Sequence, residues 1–535
     1  MNSHCFPFRQ IPHTTPLFLD YLDRKPPVEP FYPRSARFLE WAKDERSRIN
    51  HPADRRTRIA DVLERQNRAF GASEKTFANI AALRSGAHAV VTGQQVGLFG
   101  GPAFSLYKAL SAIKLADAAR SLGIDCVPIF WLATEDHDLE EVNHTRIPAA
   151  DGQLERVAAA TPSPPDAPVG TIAFGTEISD LGVQAQNLLG ATEAATFLAD
   201  CYRPGETFGS AFAKLFARIF ADFGVILLDG SDSALDQIAA PLYREVVEHA
   251  ADLNRTLLER DHALQKAGYH QQVRVTDTST PLFLIREGRR IPIHAQGPEA
   301  FIAGQSQLSQ RDLLDLAQSS PESFSPNVLL RPVMQDYLLP TLAYIGGAAE
   351  VAYFAQAGAL YERLVGRITP ILPRFSATLI DQKPQALLEK YSVSFQDLLR
   401  GPEALREEIG SHLLDTSLQS SFDHAGAAVE RSMATIRSLL EQLDKTLVDS
   451  ANNAESKMLY QLTNLRSRAA RAELRQTEVA DRHTRILSNS LYPDKTLQER
   501  EIAGIYFLAK HGRELLNGLL DSIHPDCVDH QLVTL

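Results

Sequence analysis

The stretch Ala87-His88-Ala89-Val90-Val91-Thr92, followed by Gly93-Gln94-Gln95-Val96-Gly97-Leu98-Phe99-Gly100-Gly101-Pro102, decides how the chain is read. Its first six residues form a short apolar run stopped by glycine, which marks a buried strand ending in a tight turn. Beyond the loop, Leu106, Leu110, Ile113 and Ala116 share one stripe, so a helix is expected from about Ala103 to Leu122. Val127-Pro128-Ile129-Phe130-Trp131-Leu132-Ala133 then reads as a second buried strand. Strand, glycine loop, helix and strand make a βαβ unit with a right-handed crossover. Ligands of open α/β sheets sit beyond the carboxyl ends of the strands. The loop after Thr92 and the residues after Ala133 are therefore the first places to look for chemistry.

Upstream, residues 1–85 are rich in charge and helix formers and read as a helical segment packed on the core, broken at Asn50-His51-Pro52. Downstream, Thr161-Pro162-Ser163-Pro164-Pro165-Asp166-Ala167-Pro168 suits neither helix nor central strand, so an insertion is expected near 148–200. Helix resumes at about Phe208–Phe223, Val225–Gly230 is a third buried strand, and a long helix runs to about Lys266. Two extended runs around Glu287-Gly288 suggest a hairpin inside a second insertion, near 270–325. Val328-Leu329-Leu330 reads as a return to the sheet, and Tyr337–Val365 as mostly helical with an interruption at Gly346-Gly347. An α/β core over 86–380 is thus followed by a helical domain over 381–490 and a C-terminal helical segment, 491–535, that returns to the core. Within the helical domain Leu440, Leu443, Leu447, Ala451, Ala454, Met458, Leu462, Leu465 and Ala469 repeat every eleven residues. That period predicts a nearly straight seam along one long helix. A break at Asp449–Asn453, folding the seam into an antiparallel hairpin, is the competing reading.

At 535 residues the chain suits about three structural units. A net charge of -12 argues against a broad nucleic-acid surface, which needs clustered Lys and Arg, but leaves room for a local basic pocket. Cys5, Cys126, Cys201 and Cys527 form no Cys-x-x-Cys pair and read as reduced thiols of a cytoplasmic chain. The N-terminus lacks a basic-then-apolar leader, and no apolar run approaches the roughly 20 residues needed to span a bilayer.

Three constellations carry chemistry. The first is Thr92, Gly93, Gln94, Gln95, Gly97, Gly100 and Gly101 with Lys108 in the following helix. It reads either as an anion-cradling loop at a helix start or as a tight structural turn. It matches neither the Walker loop nor the dinucleotide fingerprint. The second is Glu135-Asp136-His137-Asp138, with Asn143-His144 extending the same wall. Three carboxylates and an imidazole at a strand end can bind an ammonium, hold a metal or provide a general base; the other reading is an acidic helix start. The carboxylates favour a proton on His137, which suits it to acid–base work near neutral pH. Cys126 lies at the far end of the strand, so no compact zinc site is expected. The third runs through Asn327, Arg331, Gln335, Tyr344, Glu350 and Tyr353, joined by Arg374 and Ser376. There Arg331 can grip a carboxylate or phosphate with two prongs.

Taken in order, Thr-Gly-Gln-Gln-x-Gly-Leu from Thr92, the Phe130-Trp131 strand with Glu135-Asp136-His137-Asp138, Ser325-Pro326-Asn327-Val328 with Arg331-Pro332, Leu339-Pro340-Thr341 with Tyr344-Ile345-Gly346-Gly347, and Leu372-Pro373-Arg374 with Ser376 resemble the bacillithiol cysteine-adding family. Gln498-Glu499-Arg500 resembles its C-terminal region. The resemblance implies a Rossmann-like core of nucleotidylyl-transferase type with connecting-peptide insertions. It also implies a coiled coil that supports a homodimer, and the addition of cysteine to glucosaminyl-malate. Amide formation from a carboxylate is uphill in water, so ATP with a divalent cation such as Mg2+ is the expected activator, and adenylation of cysteine fits such a core. In that scheme the Gly93–Gly101 loop and Lys108 approach the nucleotide. Glu135, Asp136 and His137 handle the amines, while Arg331 and Arg374 hold carboxylates or phosphate. The alternatives are a nucleotide-binding scaffold for the same pathway, or a nucleotidyl transferase acting on another amino compound.

Overall fold

The computed structural model describes residues 1–297, 299–413, 415–474, 478–524 and 527–535. It divides into two compact units. The first comprises 1–147, 155–378 and 499–533; the second comprises 148–154, 379–498 and 534–535.

Along the first unit run β1 (His88–Gln94), α1 (Phe104–Ser121), β2 (Cys126–Leu132), β3 (Ile226–Asp229), β4 (Ser279–Arg286), β5 (Arg289–Ala295), β6 (Phe324–Pro326), α2 (Arg331–Leu338), β7 (Thr341–Gly346), α3 (Ala348–Leu364) and β8 (Ile371–Pro373). Five of the strands form one parallel sheet in the order β8-β7-β1-β2-β3. A parallel sheet covered on both faces needs strands that are apolar throughout. All seven residues of β2 are buried, and Phe130 and Trp131 are fully so. Such large apolar side chains contribute about 1.5–3 kcal/mol each on burial. Pro128 is tolerated inside β2 because β3 pairs only with Ile129–Leu132, so Pro128 has β1 alone as a neighbour. Gly93 lets β1 and β2 approach closely: a Cβ there would meet the Trp131 carbonyl oxygen at 3.0 Å.

The expected βαβ unit is present, with β1 reaching two residues further than the apolar run. Elsewhere the expectations need correction. Tyr337–Val365 is mostly helical as expected, but its interruption is longer than Gly346-Gly347: Thr341–Gly346 is β7, an interior strand with every residue buried. A continuous apolar run has no period of its own, so the flanking helices dominate the reading. Val328-Leu329-Leu330 does not join the sheet. The Asn327 side chain accepts the N–H groups of Leu329 and Leu330 (2.9 and 3.0 Å) and turns the chain into α2. The preceding β6 joins a second, antiparallel sheet instead, in the order Ser306–Ser309, Ala300–Ala303, β5, β4, β6. The β4–β5 hairpin turns on Glu287-Gly288, both at positive φ (51° and 72°), as a two-residue loop requires. The helix expected to reach Lys266 is two helices, Ser233–Glu248 and Ala250–Lys266, parted at His249.

The thiol reading also changes. Cys5 and Cys527 are joined in a disulfide, with Cα atoms 6.4 Å apart, whereas Cys126 and Cys201 are free and buried. The chain ends pair in one sheet, which brings together two cysteines that sequence spacing places 522 residues apart.

In the second unit α4 (Thr416–Leu443) and α5 (Leu447–Leu474) are separate helices. The Asp444 carboxylate accepts the backbone N–H and hydroxyl of Thr446 (2.9 and 2.8 Å) and ends the first helix. Arg437 pairs with Glu455, and Arg466 with Asp423 at 3.2 Å, so the two helices run antiparallel. One long helix is thereby replaced by a hairpin, broken five residues before the expected Asp449. The turn escapes the periodicity because Leu443 and Leu447 keep a four-residue spacing across it. Among the described residues no helix is long and apolar enough to cross a membrane.

Candidate functional site

The carboxyl ends of β1, β2 and β7 face two adjoining cavities that share Ala133, Asp136 and Arg331. The first, about 330 Å³, is cationic on balance, with Lys108, Arg331, Arg374 and Arg500 against Asp136, Glu141 and Glu350 in its walls. The second, about 450 Å³, lies under the β4–β5 hairpin. Its walls include the apolar Leu257, Val273, Phe283 and Ile293, with Glu135, Arg274 and Arg290 as charged members beside the shared Asp136 and Arg331.

In the cationic chamber α1 carries Lys108 inward, leaving it 3% exposed. Its ammonium meets Glu350 Oε2 at 2.6 Å and donates to the Gly93 carbonyl (2.6 Å) and Gln94 Oε1 (2.9 Å). Glu350 also accepts the Gly347 N–H and the Tyr344 hydroxyl, each at 2.7 Å. Burial pushes the Glu350 carboxyl upward, but the Lys108 charge and these donors outweigh it and hold the group below its usual range. Arg331 is different. It donates to Gln335 Oε1 (3.3 Å) and to the hydroxyls of Tyr344 (3.3 Å) and Tyr353 (3.2 Å), and has no carboxylate in ion-pair contact among the described residues. Arg374 is braced from behind. Glu499, 0% exposed, accepts from Arg374 (2.6 Å), Ser376 Oγ (2.8 Å) and the Ala377 N–H (2.8 Å). His530 bridges Ser376 and Thr378 (2.7 and 2.9 Å), and burial drives its pKa down to about 4, leaving the ring neutral.

At the boundary between the chambers the Gln95 amide donates to both Asp136 (2.7 Å) and Glu141 (2.9 Å). Glu135 turns toward the apolar chamber. Burial raises its pKa to about 7, more than the charges of Arg290 and Arg331 lower it; Asp229 and Asp136 add to the rise. Arg290 is held by Ser325 Oγ (3.0 Å) and the Pro326 carbonyl (2.5 Å), and its guanidinium lies 4.1 Å from the centre of the Phe283 ring. A carboxylate that changes charge near neutrality, beside fixed cations, is suited to taking a proton from an amine.

The structure thus brings most of the expected residues together. Gly93, Gln94, Gln95, Lys108, Tyr344, Glu350, Tyr353 and Arg374 line the cationic chamber, and Glu135, His137 and Asn327 the apolar one. Gln335 and Ser376 stand one layer behind. Others lie away from both chambers. Gly97, Gly100 and Gly101 are in a buried loop, and their own N–H groups bond to the Gln95, Gly97 and Leu98 carbonyls and the Tyr202 hydroxyl. The Thr92 hydroxyl is spent on the Ile345 carbonyl. Asp138 caps the short helix Leu139–Val142 by accepting the Glu141 N–H, which is the acidic helix-start reading for this residue. Asn143 and His144 follow that helix and bond to each other. The His137 side chain is 42% exposed and 3.7 Å from Asp136. Sequence reasoning missed two cations, Arg290 and Arg500. Nothing near the hairpin singles out Arg290, whereas Arg500 stood inside a quoted C-terminal motif without a role.

Comparison with known proteins gives the same grouping for the whole chain. Residues 1–375 match the N-terminal Rossmann-like domain of bacillithiol biosynthesis BshC, and residues 377–535 match its C-terminal coiled-coil domain. A relative from Koribacter versatilis is 46% identical over 533 residues, covering 100% of both chains. One from Solibacter usitatus is 35% identical, covering 99% of this chain and 100% of its own. One from Salinibacter ruber is 32% identical, covering 97% and 96%. All three bear the name "Putative cysteine ligase BshC". With both domains matched in order and these relatives aligned from end to end, the chain belongs to the bacillithiol-biosynthesis BshC family.

Proposed function

We propose that this chain is a cysteine ligase that condenses the carboxyl group of L-cysteine with the amine of glucosaminyl-malate, using ATP to activate the carboxyl. The observation that carries the reading is the pairing of two unlike chambers across Arg331 and Asp136, in a chain whose relatives bear a cysteine-ligase name. The cationic chamber suits the malate carboxylates or phosphate oxygens, since Arg331 meets only neutral partners there. Glu135, with a pKa near 7, accepts the proton that the sugar ammonium must lose before its nitrogen can attack. Asp136 and Gln95 fix the boundary where the two substrates meet.

ATP supplies the free energy that makes a carboxyl oxygen a leaving group. The chain's residues fit such a polyanion, and Asp136 and Glu141 are the carboxylates that would face a divalent cation arriving with it, such as Mg2+. The start of the glycine loop supports the site through Gly93 and Gln94, which accept from Lys108. The second unit is the dimerising part in this reading. Ile436, Leu439 and Leu443 on α4 and Met458 and Leu465 on α5 are exposed, which suits burial against a second copy.

The test is an omission assay. Purified protein with cysteine, glucosaminyl-malate, ATP and Mg2+ should yield bacillithiol by mass spectrometry, and leaving out any substrate should abolish it. Absence of product across nucleotides and divalent metals would refute the ligase reading.

A further inference from the structure

Arg500 is the one cation of the first chamber that neither the motif logic nor the fold of the sheet explains. It stands in the short helical turn Gln498–Glu501, far along the chain from every other residue of the site. Its neighbours are committed elsewhere. Glu499 is buried against Arg374, Ser376 and the Ala377 N–H, and Glu501 pairs with Arg146 at 3.0 Å. The backbone just beyond is bolted to the core. Ala103 N–H donates to the Ile502 carbonyl (2.8 Å), Ala503 N–H to the Arg146 carbonyl (2.9 Å), and Gly504 N–H to the Gly101 carbonyl (3.1 Å). The segment is therefore anchored on both sides of Arg500, at the end of the glycine loop and at the start of α1.

Anchored in this way, Arg500 projects into the chamber wall. Its guanidinium carbon lies 5.9 Å from the centre of the Phe104 ring, and that of Arg374 lies 5.2 Å from the same ring. Two guanidinium groups flank one aromatic side chain, and like charges repel at this separation. Arg374 is neutralised by Glu499, but Arg500 has no carboxylate within ion-pair distance among the described residues. With Arg331 it leaves two cations without a direct ion-pair partner facing one cavity of about 330 Å³, with the carboxylates of Asp136, Glu141 and Glu350 elsewhere in its wall. Holding such charges together costs free energy unless an anion completes the site.

We propose that Arg500 is a substrate-binding residue, recognising an oxyanion of the condensation's substrates between itself and Arg374. The chemistry required is a carboxylate or phosphate group with at least two free oxygens. Both the malate portion and the nucleotide could supply it. This rests on the ligase reading for the identity of the ligand, though not for the existence of the anion site.

The experiment is calorimetric titration of malate, and separately of inorganic pyrophosphate, into the wild-type chain, Arg500→Ala and Arg500→Lys. Wild type should bind at least one of the two anions. Arg500→Ala should weaken that binding at least tenfold, and Arg500→Lys should recover part of it. Weakening confined to malate assigns the subsite to the carboxylate; weakening confined to pyrophosphate assigns it to the nucleotide. No binding by wild type, or equal affinities in wild type and Arg500→Ala at unchanged melting temperature, overturns the proposal. Turnover measured on the same preparations separates the two levels: anion binding that depends on Arg500 without bacillithiol formation defeats the ligase reading and leaves the site standing.

Discussion

Among single residues, Glu135 carries the heaviest chemical burden. If it is the general base it must be ionised to act, so kcat/KM should fall about tenfold per pH unit below its pKa of about 7 and level off above it. Glu135→Gln removes the base while keeping the shape. It should lower kcat by roughly 10²–10⁴ with little change in KM, and flatten the acid limb of the profile. A pH–rate series on both proteins checks this. The Lys108–Glu350 pair should show itself in stability instead. Lys108→Met strands a mostly buried carboxylate and should cost about 3–5 kcal/mol in denaturant unfolding, while adding Glu350→Gln should return part of that loss. At this scale the sequence was legible where reactive side chains cluster locally, as in Glu135–His137. Arg500 and Glu499 could not be read, because what gives them a role is a contact across more than a hundred residues. Asp138 was misleading for the opposite reason: its local neighbours already use it as a helix cap.

Secondary-structure elements were legible where a pattern had a boundary. The β1–α1–β2 unit was readable because a glycine stop and a helical stripe sit between two apolar runs. Strand β7 was not, because full burial on both faces erases the alternation that marks a strand. The α4–α5 hairpin shows the limit of periodicity, since a turn that preserves spacing leaves no trace in it. Spin labels at Asp423 and Arg466 test the hairpin. The two residues are in ion-pair contact here, whereas 43 residues of continuous helix would separate them by about 65 Å. Pulsed electron resonance should find the short intramolecular distance within one labelled chain diluted into unlabelled protein.

Taken whole, the molecule carries a net charge of -12 yet concentrates cations in one chamber, as suits an enzyme for small anions rather than a nucleic-acid binder. Its second unit exposes apolar residues that need cover, Leu439 at 62% and Leu443 at 77% among them. If the second unit pairs two copies as proposed, Leu439→Glu should shift the protein toward monomer in sedimentation velocity while leaving the melting of the first unit unchanged. A Rossmann-like part followed by a helical coiled-coil part was readable through the order of motifs along the chain. Residues 499–533 belong to the first unit, where the C-terminal segment was expected to return to the core, whereas the Cys5–Cys527 bond was not expected, since it depends on how the chain ends meet.

The central claim is that ATP activates the carboxyl of cysteine for attack by the sugar amine. The most direct test supplies cysteine labelled with ¹⁸O in both carboxyl oxygens and follows the label through one round of condensation. The account predicts bacillithiol retaining one ¹⁸O in its new amide, with the other appearing in the phosphate or nucleoside monophosphate released from ATP. Amide formation with that second ¹⁸O found only in water, or no amide at all, would contradict it.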